Sequence, residues 1–368
     1  MDKFIDFLNN KLNPGGVTIG GIVYICLSLC LSGCHNEKPA TSVETKKSNQ
    51  KVDLDHFLLP DKVTNLEDAI KLYVKPGKKS VGDLIEAARL AMKQDDYKAS
   101  EELMNLAIQK EPDGNPEVYS IRGRSIYNSF DNRNKEALPD LLKAVELGSV
   151  DSHDYVAISS IYDDWKQPKK AIEYLTRGME RTRNRDMYLT RACLYASIGE
   201  DKKALADYDT CLEINPDYAR GNILRGQLHE KVGNYKQALE DYRTAATKHK
   251  KGKLSTASVV ARKLEILLLD KIGKHDQAVK VLNEALIDNK EDKAELLQLR
   301  GDQYSKLKRY EEALNDYSQS IRGEPKFARL SYLGRARVYE LLGKKALAKE
   351  DREKARVIKL APAEKAVY

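Results

Sequence analysis

Residues 185–218 read RDMYLTRACLYASIGEDKKALADYDTCLEINPDY, and the apolar positions recur at intervals of three and four. That period belongs to a helix with one buried stripe. Gly199 interrupts the pattern once, between Tyr195 and Ala204, where a tight turn calls for a residue without a side chain. Two helices packed face to face are therefore expected, a hairpin of about 34 residues. Ala192, Ala204 and Cys211 are small enough to let the two backbones approach closely. Tyr188, Tyr195 and Tyr208 fill the space between neighbouring units, and Pro216 closes the hairpin.

The same arrangement recurs on both sides of this stretch. Gly226, Gly233, Ala238, Tyr242 and Ala245 follow at matching offsets, and later Gly301, Tyr304, Ala313, Tyr317 and Pro325. Fainter copies run from Ala88 to Pro112, Tyr119 to Ala144, Tyr155 to Gly178, Arg262 to Ala285 and Tyr332 to Ala355. This order of large, small and aromatic residues closing on proline resembles the tetratricopeptide repeat. The resemblance implies an all-α fold, a right-handed superhelical α-solenoid of about eight hairpins over residues 81–362.

Composition agrees with a folded helical chain. Of the 368 residues, 41% are hydrophobic and 32% charged, which excludes a disordered chain. Repetition explains the length without a second domain, because each repeat needs only its neighbours. A formal net charge of +7 is small for this size, and nucleic-acid binding, which needs a clustered basic face, is not expected. Cys193 and Cys211 are the only cysteines of the repeats, and they should point to different faces. No CxxC pair or His/Cys cluster suggests a metal, and no cofactor is expected.

The chain opens differently. An apolar run from Val17 to Leu31 ends in Leu31-Ser32-Gly33-Cys34. Residues 17–33 would span about 26 Å as a helix, short of the roughly 30 Å hydrocarbon core, which suits a signal segment. The four closing residues resemble the lipobox of bacterial lipoproteins. That resemblance implies a signal peptide over 1–33, cleaved before Cys34, and a lipidated Cys34 holding the protein to a membrane of the cell envelope. In an organism with two membranes, His35 after the cysteine favours the outer one by the same analogy. Residues 34–55 read as a flexible tether, rich in Lys, Ser, Thr and Asn. Residues 56–80 are expected to hold a short helix, capped by Asn65 and ending before Pro76, that covers the first repeat. Residues 363–368 form a tail.

Several local features carry their own expectations. Pro139 suits only a first helical turn, so the second helix of the second repeat should begin near Leu138, after a loop containing Asp131 to Asn134. Trp165, near the turn of the third repeat, is expected to pack rather than bind. Lys248 to Lys253 read as a solvated basic loop. Arg352 stands where an aromatic is usual, as an exposed terminal helix requires.

HExxH, GxSxG, GxxxxGK[ST] and GxGxxG are all missing from the sequence, and the protein is not expected to be an enzyme. The family resemblance places a ligand groove on the first helix of each repeat. Residue by residue it implies Ser120, Arg124, Tyr127 and Asn128, then Ser160, Asp163 and Asp164, then Leu189 and Cys193. Arg220, Gln227, Glu230 and Lys231 follow, then Lys263, Asp270 and Lys271, and last Gln298, Asp302, Ser305 and Lys306. A protein or peptide partner in that groove is the expectation, with the chain acting as a membrane-anchored adaptor. The asparagine pattern used by one branch of the family to grip a peptide C-terminus is missing, since Arg89, Arg124, Ser160, Cys193 and Gln227 stand at the corresponding position. An alternative is a pilotin-like assembly factor that works through the opposite face or by self-association.

Overall fold

The computed structural model describes residues 66–75, 80–112, 114–129, 133–246, 255–288, 293–323 and 325–358. The signal segment, Cys34, the tether, Asn65 and the Lys248 to Lys253 loop lie outside the described residues. Seventeen helices and no strand occur among them. A short helix, α1 (Leu66–Tyr73), precedes α2 (Val81–Lys93) and α3 (Tyr97–Lys110). Next come α4 (Pro116–Asn128), α5 (Asn134–Glu146), α6 (Ser152–Asp164), α7 (Pro168–Met179), α8 (Arg185–Ser197) and α9 (Asp201–Ile214). The rest are α10 (Ala219–Lys231), α11 (Tyr235–Ala245), α12 (Thr256–Lys271), α13 (His275–Asp288), α14 (Lys293–Lys306), α15 (Tyr310–Gly323), α16 (Pro325–Leu341) and α17 (Lys345–Val357). After α1 the helices follow in eight consecutive pairs, the α-solenoid hairpins expected from the spacing.

Local chemistry sets the helix starts. Ser80 and Asp83 form a reciprocal capping box at α2, with Ser80 Oγ accepting from the Asp83 amide and the Ser80 amide donating to Asp83. Asn115, Asp151 and Asn184 cap α4, α6 and α8 through their side-chain oxygens. The turns inside the pairs need a left-handed residue. Gly199 supplies it with φ +81° and Gly233 with φ +85°, while Asp95, Lys166 and Lys308 adopt φ near +59° at the equivalent turns.

Contacts divide the described residues into two compact units, 66–268 and 269–358, with the division inside α12 after Leu268. In the first unit Ala69 of α1 is fully buried with Leu84, Ala88 and Leu103, and Tyr73 Oη donates to Asp96 at 2.9 Å. Ala192, Ala204 and Cys211 are fully buried, so the small residues stand where the backbones are closest. Gly226 shows how tight the fit is: a Cβ there would lie 2.7 Å from Tyr242 Cε1. Trp165 packs as expected, edge-on to Tyr162, which in turn stacks on Tyr174. The core of the second unit joins Val279, Tyr304, Ala313, Tyr317 and Val338. At its end Arg352 is exposed and paired with Glu340.

One expectation fails. Helix α5 begins at Asn134, four residues before Leu138, and carries Pro139 in its interior. Proline there forgoes one bond, to the Lys135 carbonyl in the first turn. Side chains hold that turn instead. Arg133 grips Glu101 of α3 at 2.7 and 2.9 Å and Glu136 at 2.6 Å, and Asn134 Nδ2 donates to Asp164 at 3.0 Å.

Candidate functional site

The residues expected to face a ligand lie on the first helices of the pairs, but they differ in what they leave open. On α4, Arg124 has its Nη1 3.1 Å from Asp151 and its Nε 3.5 Å from Asp154. Asp154 is fully buried and accepts from Ser120 Oγ at 2.7 Å and Ser149 Oγ at 2.6 Å. Burial raises the Asp154 carboxyl above its usual range, and the Arg124 charge and the two serines oppose that rise. Ser120 and Arg124 therefore serve the junction between two hairpins. Leu189, at 4% exposure, is also core.

Other positions remain accessible. Tyr127 and Asn128 are half-buried at the end of α4, and Ser160 is half-buried on α6. Asp163 and Asp164 are exposed at the end of α6. On α10 Arg220 and Gln227 are half-buried, Glu230 accepts from Tyr242 Oη at 3.1 Å, and exposed Lys231 lies 2.8 Å from Asp201. Lys263 on α12 is half-buried. Cys193 is half-buried with its Sγ 3.4 Å from Tyr208 Oη, and Cys211 is buried; neither is in a disulfide. Burial pushes the Cys211 thiol up to about 12.

In the second unit Gln298 is buried, and its Nε2 donates to Asp302, which also accepts from Tyr317 Oη at 2.6 Å. Burial pushes the Asp302 carboxyl up to about 6, against the Tyr317 bond and the charges of Lys306 and Arg337. Lys306 is held by Asp270 at 2.5 and 2.7 Å, while Ser305 is half-buried and Lys271 exposed. Arg337, exposed on α16, belongs to this group and was not anticipated. It directly follows the buried small residue Ala336, an offset that would have revealed it. No group of three or more His, Cys, Asp or Glu placed to hold a metal occurs among the described residues.

A recurring ion pair also escaped the sequence reading. Arg122, Arg191, Arg225, Arg300 and Arg335 each grip an aspartate on the second helix of the same pair, respectively Asp140, Asp207, Asp241, Asp316 and Asp351. The remaining Nη1 reaches back to the preceding second helix, at Asn105, Thr176, Asp209, Asn283 or Ser318, within 2.7 to 3.0 Å. One planar side chain thus ties three helices. The visible signal is an arginine directly before the small residue of the first helix, with an aspartate 16 residues on in four of the five cases. These forks hold five of the eight first helices in place, α4, α8, α10, α14 and α16, and so position their exposed polar groups.

The match to known sequences falls on four stretches, three of which carry a fork. The tetratricopeptide repeat model matches residues 155–185, 186–218, 219–247 and 294–327. Four stretches of the chain thus match the tetratricopeptide repeat. Heat shock protein STI1 of Saccharomyces cerevisiae is 36% identical over 84 residues, 20% of this chain and 14% of that protein. DnaJ homolog subfamily C member 3 of Rattus norvegicus is 26% identical over 274 residues, 61% of this chain and 54% of that protein. The chain thus spans about half, or less, of the length of these relatives. Among solved structures, a tetratricopeptide repeat protein from Parabacteroides merdae is 22% identical, covering 79% of this chain and 98% of its own, with a TM-score of 0.38. No helix of the described residues is long and apolar enough to cross a membrane.

Proposed function

We propose that the protein is a non-catalytic adaptor whose tetratricopeptide repeats bind a protein or peptide partner at the cell envelope, with a lipid on Cys34 as its anchor. The observation that carries the adaptor reading is the set of accessible polar groups on first helices of the first unit, Asn128 on α4, Asp163 on α6, and Gln227 and Lys231 on α10, with arginine forks holding α4 and α10. Rigid placement of mixed donors and acceptors suits recognition of a peptide segment, because little ordering cost falls on the receptor. Proteins built from these repeats are generally interaction adaptors, and the relatives named as heat-shock and Hsp70-Hsp90 organizing proteins agree with that use. The anchor rests on the sequence alone, on the Leu31-Ser32-Gly33-Cys34 tetrad after an apolar run.

The test uses the full-length protein in detergent micelles as bait for envelope proteins of its own organism. Asp163→Lys combined with Lys231→Glu changes two exposed groups outside the arginine forks and should reduce capture of the main partner at least tenfold. Undiminished capture would refute the first-helix surface as the binding face. Separately, incorporation of a labelled fatty acid should vanish in Cys34→Ala, and label that persists would refute the anchor.

A further inference from the structure

The last helix, α17, carries a line of cations that the first-helix surface does not include. Lys345, Lys349, Arg352 and Arg356 are spaced by four, three and four residues, which places them on one side of the helix. All four are exposed, and with Glu340 of α16 and Glu353 they line an open cavity of about 660 Å³. Three of the neighbouring carboxylates are already engaged, while Glu353 stays exposed beside the line. Asp351 belongs to the Arg335 fork, Glu350 lies 2.6 Å from Lys354, and Glu340 pairs with Arg352. Among the described residues Lys345, Lys349 and Arg356 meet no carboxylate at ion-pair distance. Four cations against Glu340 and Glu353 leave this lining with a net charge of +2.

We propose that this line is a docking surface for an acidic peptide segment in extended conformation. From Lys345 to Arg356 the helix advances about 16 Å. An extended segment carries same-side residues about 6.6 Å apart, so three carboxylates at alternate positions span about 13 Å and lie within reach of the whole line. The cations line a concavity, which a single strand can enter and a flat bilayer cannot. The surface is also rigid before binding, because Ala348, Asp351 and Ala355 are buried and the Arg335 fork holds Asp351 at 2.8 Å through both oxygens.

Fluorescence anisotropy with the full-length protein and a labelled peptide of four Glu-Ser repeats tests the idea. Binding is expected to weaken several-fold between about 50 and 300 mM salt, as screened ion pairs do. Lys349→Glu with Arg356→Glu should weaken it roughly tenfold, and Lys349→Arg should leave it unchanged. The variant Asp163→Lys with Lys231→Glu, in the first unit, should bind the peptide like wild type, which separates this surface from the adaptor surface proposed above. The proposal is overturned if a peptide of four Lys-Ser repeats binds as well, or if the double reversal on α17 has no effect. It is equally overturned if vesicles containing phosphatidylserine bind through these residues while the acidic peptide does not.

Discussion

Arg191 holds Asp207 through two parallel bonds of 2.7 Å, Nε to Oδ2 and Nη2 to Oδ1. Its third donor, Nη1, reaches Thr176 of the preceding hairpin at 2.9 Å. Asp207 is 5% exposed, so removing the arginine strands a buried carboxylate, a loss of about 3–5 kcal/mol. Arg191→Leu is expected to cost about 3 kcal/mol, near the low end of that range, because Arg191 itself keeps some solvent contact. Arg191→Leu with Asp207→Leu should recover more than half. Arg191→Lys should not, since an ammonium cannot make the planar two-pronged bond and the third contact together. Urea titrations of the four proteins decide the matter, and a lysine variant as stable as wild type would show that geometry is not the cause.

The sixth hairpin reverses the polarity of the same connection. Glu265, directly before Ile266 on α12 and 4% exposed, accepts from Arg243 Nε of α11 at 2.6 Å. Arg243 is about half exposed, which screens the pair, but Arg243→Glu leaves the buried Glu265 beside a second carboxylate, so a cost of about 2–3 kcal/mol is expected. Exchanging both residues, Arg243→Glu with Glu265→Arg, keeps the pair with its polarity reversed and should regain most of that loss. Hydrogen exchange of the α12 amides reads the effect locally, and exchange equally fast in the swapped and single variants would contradict it.

Two backbone positions should respond in opposite directions. Lys308 sits in the left-handed region with φ +58°, where a side chain costs about 1–2 kcal/mol and glycine avoids that cost at some loss of chain entropy. Lys308→Gly is therefore expected to stabilise by about 0.5–1 kcal/mol. Gly226→Ala forces a methyl against the Tyr242 ring and should destabilise by about 1–3 kcal/mol, although alanine is the better helix former. Thermal melts of the two variants measure both signs, and a stabilising Gly226→Ala would mean that the two helices separate without penalty.

What could be read in advance depended on whether a signal was local. The hairpin count and the turn at Gly199 follow from side-chain size and period within one stretch, and both appear as expected. The start of α5 does not, because the residues that extend it, Glu101 and Asp164, lie about 30 positions from Arg133 and Asn134. The forks look in sequence like ordinary charges on solvated faces, and only the placement of the second helices shows that Asp207 and Asp241 are buried. On the first helices Asp163 and Lys231 are exposed. Ser120 and Arg124 are taken up by Asp154, a buried acid that no periodicity marks.

Asp302 gives the second unit a pH dependence of definite sign. Its carboxyl is pushed up to about 6, chiefly by burial, with Asp270 adding to the rise and Tyr317, Lys306 and Arg337 opposing it. Unfolded, an aspartate titrates near 3.9, as a typical value. The folded chain therefore binds the proton more tightly, and between about pH 4 and 6 it holds more protons than the unfolded chain. Stability from this group is complete below about pH 4, falls as pH rises to about 6, and is level above that. The size of the fall is on the order of 2–3 kcal/mol, from a shift of about two units at 1.36 kcal/mol each. Asp302→Asn keeps the shape and an acceptor for Tyr317 without the charge. Melts of both proteins at about pH 4.5, 6 and 7.5 should show the wild type losing stability relative to the variant across the first interval and keeping a constant offset across the second. Parallel curves throughout would mean that the folded protein holds Asp302 ionised at no penalty, and the polar cluster of Gln298, Tyr317 and Arg337 would then have to be compensating its charge in full.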